Sequence, residues 1–367
     1  MAHQRQVAHA LASAVLAGPP TADGFSARMA NALGSKARWV RSLSRKVFER
    51  FGSALTQRHR ARLIRFIAAD AGFRDAWWSS ARPQIRRYLI DYASMEPRPG
   101  ALAQCALPEL ATAGDLAAWL GVSTTKLDWY ADLRGMNDRG DSPLAHYRYR
   151  WIRKKHSRFR LMEIPKVDLR EIQRKILREI LDRVPAHNAA HGFRRQRSCL
   201  TCALPHAGKE TVLRMDLRNF FVSIPARRIN ALFKTLGYPD AVATLLTSLC
   251  THRVPVRILR EIPYAEFDAS LPWAERKQYR DSHLPQGAPT SPALANLCAL
   301  HLDLRLAALA DTVQGAYTRY ADDLIFSGDE TVRRRVEKLS TLVAAIALEE
   351  GFEVNYRKTR IMHDSDR

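Results

Sequence analysis

The chain has 367 residues, 46% of them hydrophobic and 26% charged, which is enough apolar material for a substantial core and two or three domains and excludes a disordered tail. Lysine and arginine outnumber aspartate and glutamate by 58 to 37, a net charge of +21, and so large a surplus points to a polyanionic partner, nucleic acid first. Five cysteines are too few, and odd in number, for a disulfide framework; this suits a reducing cytoplasm, and no run of eighteen apolar residues is present to span a membrane.

Residues 1–95 read as a basic, helical N-terminal extension. The Ala-rich stretch from Val7 to Gly18 follows Arg5, but His9 interrupts it and its apolarity is modest, so it reads as a helix rather than a signal sequence. Arg38, Arg41, Arg45, Lys46, Arg50, Arg58, Arg60, Arg62 and Arg65 crowd together, as a phosphate-facing surface or as a solvated helix face. Pro97, Pro99 and Gly100 mark a boundary. Residues 96–146 then form a helical hairpin region: Asp115 to Leu127 reads as helix, Gly-centred turn and helix, with Ser123, Thr124, Thr125 and Lys126 too generic for a base-reading surface.

From Tyr147 the character changes. Trp151, Arg153, Lys154, Lys155, His156, Arg158 and Arg160 lead into the strand-like Leu161-Met-Glu-Ile-Pro165. Asp168 with Glu171 makes a capping-box pattern, and Leu169, Ile172, Ile176 and Ile180 recur at helical spacing until Pro185. Thr211–Leu217 reads as a buried strand and Ala226–Leu236 as a helix; Ser291 is expected to cap a further helix with Pro292 at its first position. Val332, Val336, Leu339, Val343 and Ile346 predict an amphipathic helix. Strands and helices alternate without a repeat, so the fold class is α+β.

The chemistry lies in carboxylates. Phosphoryl transfer to a growing nucleic acid uses two divalent cations about 3.5–4 Å apart, and hard cations want carboxylate oxygens. Asp216 ends Val212-Leu-Arg-Met-Asp216, and Asp322 and Asp323 sit in Tyr317-Thr-Arg-Tyr-Ala-Asp-Asp-Leu-Ile-Phe326, where β-prone residues flank two turn-favouring aspartates. Four residues such as Tyr-Ala-Asp-Asp recur by chance, so the hairpin gains meaning only from Asp216, which can meet it at the end of a neighbouring strand.

Three segments occur in order: Asp216-Leu-Arg-Asn-Phe-Phe-Val-Ser-Ile224, Leu284-Pro-Gln-Gly-Ala-Pro-Thr-Ser-Pro292 and Tyr320-Ala-Asp-Asp323. This set resembles bacterial reverse transcriptases, retron enzymes most closely. The resemblance runs from about Tyr147 to Met362 and takes in Ala190-His-Gly-Phe193, Gly351-Phe-Glu-Val-Asn355 and Lys358-Thr359. It implies a right-hand polymerase with fingers and palm in residues 147–367, RNA-templated addition of deoxynucleotides, two Mg²⁺ ions with Mn²⁺ as a substitute, and RNA template, DNA product and deoxynucleoside triphosphates as partners. A cytoplasmic location, no membrane, and a role in antiphage defence with an unnamed effector protein go with it.

The resemblance also implies roles for single residues. Asp216 and Asp322 would bridge the metals, Asp323 would support them, and the Leu217 carbonyl would add a ligand. Phe221 matches a steric gate against the ribose 2′-hydroxyl, with one of Phe220 and Phe221 expected in the core. Gln286 and Gly287 match the loop lining the nucleotide pocket. Arg160 matches a triphosphate-gripping residue, with Lys154 and Lys155 as weaker candidates, and Lys358 matches a lysine that protonates pyrophosphate.

The match has departures. Cys202-Ala-Leu-Pro-His206 stands where retron enzymes carry Asn-Ala-x-x-His, and the downstream Val-Thr-Gly signature and thumb are expected to be absent because the sequence stops at Arg367. Cys199, Cys202 and His206 have the spacing of half a zinc site, but no second pair lies close in sequence. Three alternatives stay open: a group II intron-like or other defence-associated reverse transcriptase, a non-catalytic RNA-binding protein on the same fold, and a helix-turn-helix regulator.

Overall fold

Short polar caps start two of the N-terminal helices. Thr21 accepts from the Gly24 amide and Asp70 from the Phe73 amide, the latter carboxylate also taking Lys46 at 2.7 Å. The computed structural model describes residues 2–52, 55–56, 59–80, 82–88, 94–96, 98–136, 145–153, 159–261 and 271–364; Lys154 and Lys155 fall outside them. The chain divides into two compact units, Met1–Glu96 and Pro97–Arg367.

The first unit holds α1 (Ala2–Leu16), α2 (Ala22–Leu33), α3 (Arg38–Phe51), α4 (Arg60–Ala69) and α5 (Ala71–Trp78). Its own core gathers Leu11, Val15, Phe25, Met29, Leu43, Leu63 and Phe73. On α3, Val40, Leu43 and Val47 are buried, so Arg41 and Arg45 face solvent, as the period of the sequence requires.

The second unit begins with α6 (Ala113–Leu120) and α7 (Thr124–Ala131), a hairpin tied within this unit by a hydrogen bond from Trp119 Nε1 to Glu179 at 2.9 Å. Strands β1 (Tyr147–Arg153) and β2 (Phe159–Pro165) pair antiparallel, and α8 (Val167–Glu179) follows. The expected capping box is not formed. The Lys166 amide donates to the His146 carbonyl, the helix begins at Val167, and Asp168 falls inside the first turn, where it accepts the Tyr130 hydroxyl at 2.8 Å. The helix also ends at Glu179, ahead of Pro185, in a 3₁₀ turn over Leu181–Arg183.

Next come α9 (Cys199–Ala203), β3 (Thr211–Asp216), α10 (Ala226–Thr235), α11 (Asp240–Cys250), α12 (Val256–Arg260), α13 (Trp273–Arg280), α14 (Ser291–Cys298) and α15 (Leu300–Asp311). Thr290, not Ser291, precedes α14; the Ser291 hydroxyl instead donates back to the Pro285 carbonyl at 2.7 Å and braces that loop. The chain closes with β4 (Ala316–Tyr320), β5 (Asp323–Gly328), α16 (Glu330–Glu349) and β6 (Arg360–His363). The sheet order is β4-β5-β3-β6, antiparallel throughout. Helix α16 buries Val332, Val336, Leu339 and Val343, the stripe its sequence presents. Among the described residues no single helix is long and apolar enough to cross a membrane.

Candidate active site

Strand register brings the three aspartates together. Asp216 lies opposite Asp323 across β3 and β5, and Tyr320 opposite Asp323 across β4 and β5. Ala321 and Asp322 alone remain to turn the chain, and Ala321 adopts the left-handed region at φ 56°. The backbone is stitched around this turn: the Leu217 amide donates to the Asp322 carbonyl at 2.7 Å, and the Asn355 amide to the Asp216 carbonyl at 2.7 Å. From behind, the Arg319 amide donates to the Ala189 carbonyl and the His191 amide to the Arg319 carbonyl. Gly192 is required there, since a Cβ would stand 2.6 Å from the Ala321 nitrogen.

The carboxylates differ in surroundings. Asp216 is buried; one oxygen accepts the Lys358 ammonium at 2.7 Å and the other the Asn355 side-chain amide at 3.2 Å. Asp323 takes both hydrogen bonds of the Arg214 fork, at 3.0 and 2.8 Å. Asp322 is held above the ordinary carboxylate range, first by burial and then by the charge of Asp216, with Asp323 adding and Lys358 opposing. Among the described residues no three His, Cys, Asp or Glu side chains already stand as a metal cluster. The donor set nonetheless fits a hard cation: its donors are oxygens, and the Asp322 anion, disfavoured by Asp216, is relieved by added positive charge.

The remaining sequence-derived residues fall into two groups. Leu217 and Lys358 are bonded into the aspartate cluster. Gln286 and Gly287 are bonded instead to β2: the Gln286 carbonyl accepts the Glu163 amide at 2.8 Å, and Gly287, at φ 128°, lies where a Cβ would come 2.9 Å from the Glu163 carbonyl. Arg160 is on the same strand, and its Nε and the Gln286 side-chain oxygen are buried without a partner among the described residues. Phe220 is core, 5.6 Å from the Arg319 guanidinium, whereas Phe221 is half-buried with its ring 6.0 Å from Phe193.

The sequence profile of the reverse transcriptase (RNA-dependent DNA polymerase) family matches residues 152–367. The chain belongs to the reverse transcriptase family. It is similar to the retron Mx65 and Mx162 reverse transcriptases of Myxococcus xanthus, 39% identical over 72% of this chain and 58% of the first, and 38% identical over 71% of this chain and 52% of the second. It is also 33% identical to the retron Ec86 reverse transcriptase of Escherichia coli, over 59% of this chain and 60% of that protein. The chain therefore resembles bacterial retron-type reverse transcriptases while spanning a little over half the length of these curated relatives.

The segment that departs from the retron signature at Cys202 keeps its histidine, and that histidine has a structural role. His206 is buried beneath the hairpin, with Nδ1 2.6 Å from the Ser327 hydroxyl and Nε2 2.7 Å from the Thr318 hydroxyl. Thr318 donates its proton to the Cys202 carbonyl, so Nε2–H must donate to Thr318 and Nδ1 accept from Ser327. Burial, and then His191, depress His206 to about 4, which keeps the ring neutral. Cys202 is buried against Thr318 and Cys199 is exposed, so the zinc-like spacing does not converge.

Sequence reasoning passed over the residues that hold the turn. Arg319, fully buried, donates twice to Asp303 at 2.8 and 2.6 Å, and through one nitrogen to Asn296 and to the Ala321 carbonyl, each at 3.0 Å. Tyr317 also donates to Asp303 at 2.8 Å. An arginine inside a β-prone stretch, and an aspartate inside Leu300-His-Leu-Asp-Leu304, were the available signals.

Proposed function

We propose that this chain is a retron-type RNA-directed DNA polymerase of the bacterial cytoplasm, with the four-stranded sheet as palm and the β1–β2 hairpin as fingers. The observation that carries the reading is the register that gathers Asp216, Asp322 and Asp323 at one sheet end and leaves Asp322 destabilised as an anion. Asp216 and Asp322 would hold two Mg²⁺ ions, with Mn²⁺ as a substitute, supported by Asp323 and the Leu217 carbonyl. When bound, such ions activate a primer 3′-hydroxyl and offset charge on the departing pyrophosphate.

The chain's own groups do the positioning. Phe221, backed by Phe220 and Phe193, presents a ring to crowd a ribose 2′-hydroxyl and favour deoxynucleotides. Gln286 and Gly287 line the incoming nucleotide, the glycine letting backbone approach it, and the buried Arg160 Nε and Gln286 oxygen are groups a bound nucleotide can satisfy. Lys358, once released from Asp216, donates a proton to pyrophosphate.

Purified protein with Mg²⁺, a DNA primer and an RNA template is expected to extend the primer. Asp322→Asn should lower extension by on the order of 10³-fold, the loss of a few kcal/mol of charge stabilisation, while retention of RNA on a filter is unchanged. Equal extension by both proteins overturns the assignment.

A further inference from the structure

A second site lies away from the carboxylates. Between the end of α7, strand β1 and helices α10 and α11 is a cleft of about 510 Å³, the size of small-molecule pockets and roomy enough for one nucleotide. None of Asp216, Asp322 and Asp323 lines it, and its one acidic lining residue among those described, Asp132, already accepts the Met136 amide at 2.7 Å. Resting on the polymerase reading, we propose that this cleft binds a single nucleotide unit, base inward and phosphate at the rim.

Three features of the lining select that chemistry. Arg134, Arg227 and Arg253 are exposed at the cleft, a cationic rim for a phosphate. Deeper in, three of the lining hydroxyls have already donated their protons to main-chain carbonyls: Thr247 to Ala243 at 2.6 Å, Thr251 to Thr247 at 2.8 Å, and Ser248 to Ala131. These three therefore offer lone pairs, Thr247 sharing its own with the Asn230 amide at 3.5 Å, and suit a ligand that brings donors, as base N–H groups and the ribose hydroxyls do. The wall is aromatic: the half-buried His252 stacks on the buried Tyr147 with ring centres 3.9 Å apart and meets the hydroxyl of the half-buried Tyr149 at 2.7 Å, so His252 and Tyr149 are the rings presented to the cleft. Aromatic rings stack bases without regard to sequence.

Rival ligands match less of the lining. A hydrocarbon chain would leave the remaining hydroxyl lone pairs without a donor, and an acidic peptide would meet the rim but bring few donors and no planar group to the wall. A nucleotide satisfies rim, floor and wall together. Its source is either a free mononucleotide or an unpaired nucleotide of a bound RNA strand.

The test uses the full chain and a single-stranded RNA carrying 4-thiouridine. Ultraviolet crosslinking followed by mass spectrometry should place crosslinks on Tyr130, Tyr149 or His252, and the double variant Arg227→Glu, Arg253→Glu should reduce those crosslinks about tenfold or more. Competition by millimolar uridine monophosphate would assign the site to free nucleotides; crosslinks that resist it would assign the site to the strand. Absence of crosslinks at all three residues, or crosslinks equal in wild type and variant, overturns the proposal. Primer extension by wild-type protein, measured alongside, tests the polymerase reading separately: a protein that extends but does not crosslink here loses only this site.

Discussion

Arg319 and Asp322 sit three residues apart on one hairpin, and their charges are treated in opposite ways. Arg319 is enclosed by Asp303, Asn296 and the Ala321 carbonyl, so each of its donated hydrogen bonds ends on a fixed partner. Asp322 is half-buried, and its strongest charged neighbour is the like charge of Asp216. A buried charge with a complete set of partners is a structural element, while a cluster of carboxylates in mutual repulsion stores a demand for cations from outside. The inner cluster fixes the turn that displays the outer one, since the same guanidinium that binds Asp303 also holds the Ala321 carbonyl.

The sharpest way to break that contrast is to unpair the inner cluster. Arg319→Met leaves Asp303 buried without its cation and should lower stability by about 3–5 kcal/mol, read as a fall in unfolding midpoint in denaturant. The double variant Arg319→Met, Asp303→Leu removes both charges and should recover most of the loss. If the single variant is as stable as wild type, the inner cluster does not hold the hairpin.

His206 gives the next effect, and it depends on pH. Unfolded, this histidine protonates near its ordinary 6.5; folded, it resists until about 4. Protonation then favours the unfolded chain, so the stabilisation is complete above pH 6.5 and is lost as pH falls toward 4, on the order of 3 kcal/mol in all. His206→Gln should flatten this part of the profile, measured as unfolding free energy from pH 4 to 7. An unchanged slope would show that acid acts elsewhere.

These groups also mark where sequence reading ran out. The aspartates, the hairpin, strand β3 and the stripe of α16 were legible because each depends on local pattern: period, turn preference and a short ordered motif. The partners of Arg319 were not, because Asp303 and Asn296 come from separate helices and only folding brings them to β4. Asp168 misled for the same reason: its spacing to Glu171 suits a cap, but the carboxylate accepts Tyr130, 38 positions earlier. Lys358 was legible as a residue of interest, whereas its bond to Asp216 across 142 positions was not.

The outer cluster predicts a gain from damage. Because burial and Asp216 raise Asp322, the folded chain binds that proton more readily than the unfolded chain. The associated stability is present at low pH and lost as pH rises through the folded value, so at pH 7 the ionised group is a net cost. Asp322→Asn should therefore stabilise the metal-free protein by ~0.5–2 kcal/mol, the exchange of stability for activity common at reactive sites. Thermal unfolding in chelator checks the sign: a less stable variant would mean that Asp322 has partners that outweigh the repulsion.

The smallest effect separates the two clusters most finely. Arg214 grips Asp323 with both arms of its fork, but the pair is partly in water, with the arginine side chain 54% exposed and the aspartate 25%. Such pairs contribute little, so Arg214→Met on β3 should cost only ~0.2–1 kcal/mol, far less than Arg319→Met on β4. The informative change is electrostatic. Asp323 is among the charges that raise Asp322, and losing its guanidinium partner leaves that charge uncompensated, moving Asp322 further up. A carbon-detected titration of the aspartate carboxyls should show the Asp322 midpoint rise in the variant. A fall, or no movement alongside a large loss of stability, would place Arg214 and Asp323 with the inner, structural charges instead of the cation-seeking ones.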